Sequence, residues 1–312
     1  MTSLKAAPTE PAIVLPDSAV VLPDSAVVLP DSAVVLPEPA VVLAEPAVAS
    51  PESAIVLTDS AVVVAEPPVA VTEPVVLPVA EPAGQPVIGV LCLETIFDKI
   101  PGHIRNPTTF DFPVRYRVVK GATPHRVVTQ HDLSLIEPFC EAAQELVAEG
   151  ASAITSGCGF LVLFQQELAD AVPVPVFASS MVQLPMVYRM LAARQTVGVL
   201  TAKQASLTPR HLAKAGAESV PVRIAGMEDQ QEFREVMLEG RRPELDVERL
   251  RQEVLTVAGR LADDPTLGAV LLECTDLVPF ASDVQRLLGV PVFDIVTLTN
   301  YVYSSLARRP YA

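Results

Sequence analysis

The sequence predicts an α/β protein of two pseudo-symmetric lobes, each with a mostly parallel sheet, preceded by a disordered acidic tail of heptad repeats. Three observations predict it. Residues 12–74 repeat a seven-residue unit nine times. From Gln85 onward, short apolar runs alternate with amphipathic stretches, the pattern of successive βα units. The second half of that body also repeats the landmarks of the first. Cys158 precedes Phe177 of one "VPVF" by 19 residues, Cys274 precedes Phe293 of another by 19, and the two sets lie 116 residues apart.

The tail, residues 1–84, starts its repeat as "AIVLPDS" and decays to "PVAVTEP". Residues 1–85 hold eleven acidic side chains and one base, Lys5. A seven-residue period usually signals a coiled coil, but proline in nearly every unit removes a donor and clashes with the preceding helical turn. Two readings stay open: an extended, acidic, disordered linker, or a stack of short strands on "AVVL" with turns on "PDS". The missing glycine corners and large core residues favour the linker.

The first lobe is expected over 85–193. "PVIGVLCL" (86–93) and "PVRYRVVK" (113–120) read as strands. "SLIEPFCEAAQELVAEG" (134–150) is a helix with Ile136, Phe139, Ala143, Leu146 and Val147 on one stripe, closed by Gly150. Strand "SAITS" leads to Cys158, a helix to about Asp170, strand "PVPVFAS" (173–179) and a helix near 180–193. The second lobe, 194–293, repeats the plan. Strand 195–201, helix 203–216, strand 219–226, helix 246–264 and strand "LGAVLLE" (267–273) place Cys274 at the last strand's end. A helix, strand 290–294 and a closing helix follow, the last available to pack back on the first lobe. "REVMLEGRRPE" (234–244) reads as a solvated connector.

The chain carries a net charge of −15 over 312 residues and lacks the basic footprint of a nucleic-acid binder. Its four cysteines form neither a disulfide framework nor a metal motif. The longest uncharged run, 171–188, is broken by Pro173, Pro175 and Pro185, so a membrane span is not expected. A soluble cytoplasmic protein acting on a small molecule is the expectation.

Each of the two matched cysteines sits at the carboxyl end of a strand, where open α/β sheets bind ligands and helix N-termini point their N–H groups outward. A helix N-terminus is expected to lower a thiol toward neutrality. Two such thiols across a cleft can remove a proton from one face of a carbon and deliver one to the other, with no cofactor. By contrast, Cys140 reads as core and Cys92 as packing. His103, in the loop after the first strand, reads as a surface residue more than as a substrate contact, and Ser179 either lines the cleft or caps a helix.

Over about 86–312 the sequence resembles the aspartate/glutamate racemase superfamily, which includes hydantoin racemases. "TSGCGF" and "LLECTDL" carry the resemblance. It implies a cofactor-independent racemase or epimerase of an amino-acid-like or hydantoin-like compound, often a homodimer, with Cys158 and Cys274 as the acid/base pair. It further implies that Gly159, Phe160, Thr275 and Asp276 bind substrate or tune the thiols. The loop "CLETIFDKIPGHIRNPTTFDFP" (92–113) replaces the family's aspartate–serine–glycine motif, leaving Glu94 as a loose counterpart. Arg105, Asn106 and Thr108 in that loop either bind an anionic substrate or form an ordered rim. Two other activities remain open, a cysteine enzyme resembling maleate isomerases or arylmalonate decarboxylases and a non-catalytic small-molecule binder.

Overall fold

The computed structural model describes residues 84–308 and, ahead of them, five short strands. Of these, β1 (Val20–Leu22), β2 (Ala26–Val28) and β3 (Val34–Val35) form one antiparallel sheet. β4 (Val56–Thr58) pairs with β5 (Ala61–Val63). The rest of the heptad segment, and with it the expected disordered linker, lies outside the described residues.

The body contains two four-stranded sheets of identical plan. In the first, β6 (Val87–Cys92), β7 (Val114–Val118), β8 (Ala151–Ser156) and β9 (Val176–Phe177) run in the order β7-β6-β8-β9. In the second, β10 (Thr196–Thr201), β11 (Val222–Gly226), β12 (Leu267–Leu272) and β13 (Val292–Phe293) run in the order β11-β10-β12-β13. Every pairing within both sheets is parallel. The register even slips at equivalent places, between Val87 and Ile88 and between Thr196 and Val197.

Sequence explains the two central strands. "VIGVLC" and "TVGVLT" are almost wholly buried, as expected for strands covered on both faces. Each carries a glycine where a neighbour presses in. A β-carbon on Gly89 would lie 2.7 Å from Ile154 Cδ1, and one on Gly198 would lie 2.7 Å from Leu261 Cδ1.

In the first lobe the helices are α1 (Ile136–Ala148), α2 (Gln165–Ala171) and α3 (Leu184–Arg189). α1 buries Phe139, Ala142, Ala143 and Leu146, close to the predicted stripe, and Gly150 closes it at φ +97°. Cys140 is only partly buried against the core. The second lobe adds α4 (Pro209–Lys214), α5 (Gln231–Phe233), α6 (Val247–Gly259), α7 (Ala281–Leu288) and α8 (Ile295–Leu306).

One hydrophobic core runs through both lobes. A smaller cluster joins Ile295 and Leu298 of α8 to Ile88, Val90 and Cys92 of β6, so the closing helix packs on the first sheet. Tyr303 of α8 stacks on Phe112, ring centroids 3.7 Å apart.

Two expectations need correction. Each matched cysteine opens a 3-10 turn, Gly159–Phe164 or Thr275–Phe280, and the α-helix begins only after it. The segment read as a solvated connector instead begins with a π-helical turn, Arg234–Leu238, which buries Val236 and Met237. Its apolar residues lie next to Phe233 and face inward, while the charges that suggested a connector project outward.

Candidate active site

The symmetry is closest where the cysteines sit. At the ends of β8 and β12, the N–H of Gly157 donates to Leu91 and that of Glu273 to Leu200, both at 2.8 Å. Cys158 and Cys274 then adopt extended backbone and start the 3-10 turns. Those turns end at Phe164 (φ −106°, ψ 8°) and Phe280 (φ −105°, ψ 8°), which hand over to α2 and α7. The same backbone path delivers both thiols to one place, where they line a common cavity of about 40 Å³.

Four segments supply most of the wall. Gly157, Gly159 and Phe160 come with Cys158, and Glu273, Thr275 and Asp276 with Cys274. The loop after β6 contributes Lys99, His103 and Arg105, among others, and the segment after β11 contributes Phe233, Met237 and Leu238. Hydrogen bonds across the lobes fix this geometry: Thr275 Oγ1 donates to the Gly157 carbonyl at 2.8 Å, and Ser180 Oγ to that of Leu272 at 2.8 Å.

Charge is distributed unevenly around the cavity. His103 Nδ1 accepts the Arg105 backbone N–H at 2.9 Å, which assigns the ring proton to Nε2. Nε2 therefore donates to Asp276 Oδ1, also at 2.9 Å. Burial acts to raise the Asp276 carboxyl, but the His103 hydrogen bond and the charge of Lys99 outweigh it and hold the group below its ordinary value. The other oxygen, Oδ2, lies 3.8 Å from Cys274 Sγ, so an ionised carboxylate faces the thiol.

Lys99 donates to the Phe97 carbonyl at 3.1 Å and sits over the Phe97 ring. Burial, opposed by Asp276, brings its ammonium down to about 7. Arg105 donates to the Leu93 carbonyl at 3.1 Å and to Thr95 Oγ1 at 3.0 Å, which fixes its guanidinium on the loop after β6 with its methylene stem beside Gly157.

The expectation of thiols lowered toward neutrality is not met. Burial raises both, reinforced by Glu273 beside Cys158 and by Asp276 and Glu273 beside Cys274. N–H groups of the 3-10 turns do reach the sulfurs, Phe160 and Leu161 for Cys158 and Asp276 for Cys274. Desolvation outweighs them, so both groups are thiols near neutral pH.

Of the residues singled out from sequence, Cys158, Cys274, Gly159, Phe160, Asp276, Thr275 and Arg105 meet around the cavity. Thr275 is committed to Gly157 and braces the lobes instead of presenting a free hydroxyl. Three residues lie elsewhere. Glu94 is exposed and accepts the Gly121 N–H at 3.0 Å. Asn106 braces the loop, donating to the Lys99 carbonyl at 2.6 Å and accepting from Thr108. Ser179 accepts the Met181 N–H at 3.1 Å as a helix cap, the second of its two open roles. His103, favoured as a surface residue over a substrate contact, is 3% exposed and lines the cavity.

Lys99, Glu273, Phe233 and Met237 were missed. Glu273 alone left a signal: a charged residue ending a wholly apolar strand, "LGAVLLE".

The Asp/Glu/Hydantoin racemase family model matches residues 180–299. The chain belongs to the aspartate/glutamate racemase superfamily. Within this superfamily it is similar to "Dimethylsulfoniopropionate lyase" of Durusdinium sp. clade D, 30% identical over 232 residues, 72% of this chain and 76% of that protein. It is also similar to "Dimethylsulfoniopropionate lyase 6" of Emiliania huxleyi, 33% identical over 240 residues. That match spans 73% of this chain and 62% of the relative. Among solved structures, Picrophilus torridus aspartate racemase aligns over 71% of this chain and 94% of its own, with 13% identity and a TM-score of 0.46.

These relatives correct the functional expectation. They share sequence with this superfamily member at 30–33% identity and are named lyases. The isomerase assignment, racemase or epimerase, is therefore withdrawn, together with its maleate-isomerase-like, decarboxylase-like and non-catalytic alternatives. Superfamily membership does not specify the bond that changes.

Proposed function

We propose that the chain is a lyase that cleaves dimethylsulfoniopropionate by β-elimination into dimethyl sulfide and acrylate. One observation carries the reading. Two buried thiols line a small cavity together with the cations Lys99 and Arg105, in a chain that is 30–33% identical to proteins named for that activity.

The substrate has a carboxylate at one end, a sulfonium at the other and two methylene groups between. Its carboxylate sits toward Arg105 and Lys99, where a nearby anion also favours the charged form of Lys99. Cys274 is the base, because its proton has an acceptor in Asp276. With that proton on Asp276, the thiolate removes one hydrogen from the carbon next to the carboxylate. The developing negative charge on the carboxylate oxygens is stabilised by Arg105 and Lys99. A carbon–carbon double bond forms as the carbon–sulfur bond breaks, and the bonding electron pair leaves with sulfur as neutral dimethyl sulfide. The abstracted proton stays on Cys274 and the Asp276 proton passes to solvent, leaving acrylate and restoring the starting state.

Elimination needs a base on one face only, unlike inversion of a stereocentre. Cys158 therefore packs against the reacting carbons and need not carry a proton. The test is incubation with dimethylsulfoniopropionate, with gas chromatography of the headspace and proton NMR of the solution. Equimolar dimethyl sulfide and acrylate are expected from the wild type, with turnover about 10²- to 10⁴-fold lower in Cys274→Ser. Absence of both products from the wild type would sink the reading.

A further inference from the structure

Glu273 is the one acid in the cavity wall that the proposed elimination leaves without a task. It is 1% exposed, and its Oε2 accepts from the Thr201 hydroxyl at 2.7 Å. Its other oxygen, Oε1, is buried and has no hydrogen-bond partner. Such atoms are uncommon, and each calls for a physical explanation.

The charges around it sharpen the question. Asp276 has the His103 Nε2–H as a donor and Lys99 as cationic company. Glu273 has none: the groups acting on it are Thr201, the Ala202 N–H and the like charge of Asp276. A β-carbon on Gly159 would lie 2.2 Å from Oε1, so glycine is required there for the carboxyl to occupy its place beside Cys158. The wall that holds both thiols thus carries two cations, Arg105 and Lys99, and one buried carboxyl, Glu273, without a cationic partner.

We propose that Glu273 forms a cation subsite whose carboxylate takes the sulfonium end of the substrate, with Phe160, Phe233 and Met237 of the same wall enclosing its methyl groups. This rests on the lyase reading for the identity of the cation, though not for its existence. Onium groups are weakly hydrated and bind well between aromatic faces and a carboxylate. A cation at Oε1 supplies the partner that the ligand-free carboxyl lacks. It also stabilises the ionised form of Glu273, which burial otherwise raises to about 7.

The subsite also has a consequence for release. Once the carbon–sulfur bond breaks, sulfur is neutral and the attraction to Glu273 disappears, so dimethyl sulfide is not retained. The carboxylate attracts the substrate's positive charge, which falls as the transition state forms. Glu273 therefore acts on substrate binding more than on turnover.

The experiment compares two unreactive probes of equal shape. One is 3-(trimethylammonio)propionate, which keeps the positive charge; the other is 4,4-dimethylpentanoate, which places carbon where the cation would be. Affinity of the full chain for each is measured by calorimetry at pH 8. The wild type is expected to prefer the cationic probe, and Glu273→Gln to reduce that preference about 10- to 100-fold. Thr201→Val, which removes the donor to Oε2 and leaves the carboxyl in place, should reduce it by a smaller factor and keeps the test open should the first variant fail to fold. For dimethylsulfoniopropionate, KM should rise in Glu273→Gln with kcat changed far less.

Equal preference in wild type and both variants would overturn the subsite, whether or not the wild type cleaves the substrate. A cation preference abolished in the variants of a chain that releases no dimethyl sulfide would uphold the subsite and overturn the lyase reading.

Discussion

Cys158 and Cys274 are equivalent by backbone and unequal by surroundings, and their inequality is where the proposed chemistry can be tested. Cys274 faces Asp276, which His103 holds by a 2.9 Å hydrogen bond, whereas Cys158 feels Glu273 first and Asp276 more weakly. A two-thiol inversion would suffer equally from loss of either group. An elimination predicts asymmetry: Cys274→Ser should reduce kcat by about 10²- to 10⁴-fold, and Cys158→Ser by far less. Asp276→Asn removes the proton acceptor and should resemble Cys274→Ser. His103→Gln keeps a donor toward Asp276 and should cost less. Steady-state kinetics on the four variants, with circular dichroism as a folding check, separate these outcomes. Equal losses from both cysteine variants would point away from one-sided proton removal.

At the scale of elements, the strand-turn-helix units that carry the thiols leave almost no slack. Gly159 shows this, since an added β-carbon would lie 2.2 Å from both the carbonyl oxygen and Oε1 of Glu273. Gly159→Ala must displace that segment, and overpacking of this kind costs roughly 1–3 kcal/mol. A lowered melting temperature together with impaired turnover is expected, because the displaced segment carries Cys274. Gly259, the last residue of α6, is the control: a β-carbon there meets nothing within 4 Å. Gly259→Ala should leave turnover unchanged and raise stability by about 0.5–1 kcal/mol, the helical preference of alanine over glycine. Thermal melts of the two variants should move in opposite directions.

For the molecule as a whole, the parts legible in the sequence were those with a period or a repeat. The alternation of buried strands and amphipathic helices marked both lobes, and the 116-residue offset marked the equivalence of the cysteines. What stayed hidden depends on contacts between segments far apart in the chain. His103 meets Asp276 across 173 residues, and nothing local to either announces the pair. Phe233 and Met237 hide in a charge-rich stretch, beside Glu232, Arg234, Glu235 and Glu239. The thiols were misjudged because local helix N–H groups favour the thiolate, while burial, a property of the assembled cavity, favours the thiol.

Burial of ionisable groups also gives the stability of the whole chain a definite pH dependence. The Glu273 carboxyl, ordinarily near 4.5, is raised by burial to about 7 in the folded protein. Its contribution is present below pH 4.5, where folded and unfolded chains are both protonated, and is lost as pH rises through 7. The size is about 3 kcal/mol. His211, wholly buried, is lowered by burial from 6.5 to about 4, so its contribution is present above 6.5 and lost as pH falls toward 4. The two slopes oppose each other between pH 4.5 and 6.5 and flatten the profile of the wild type. Glu273→Gln removes one of them. The melting temperature of that variant relative to wild type should therefore rise steadily from pH 4.5 to 7 and level off above. A difference independent of pH would mean that Glu273 titrates in the folded chain as it does in the unfolded one.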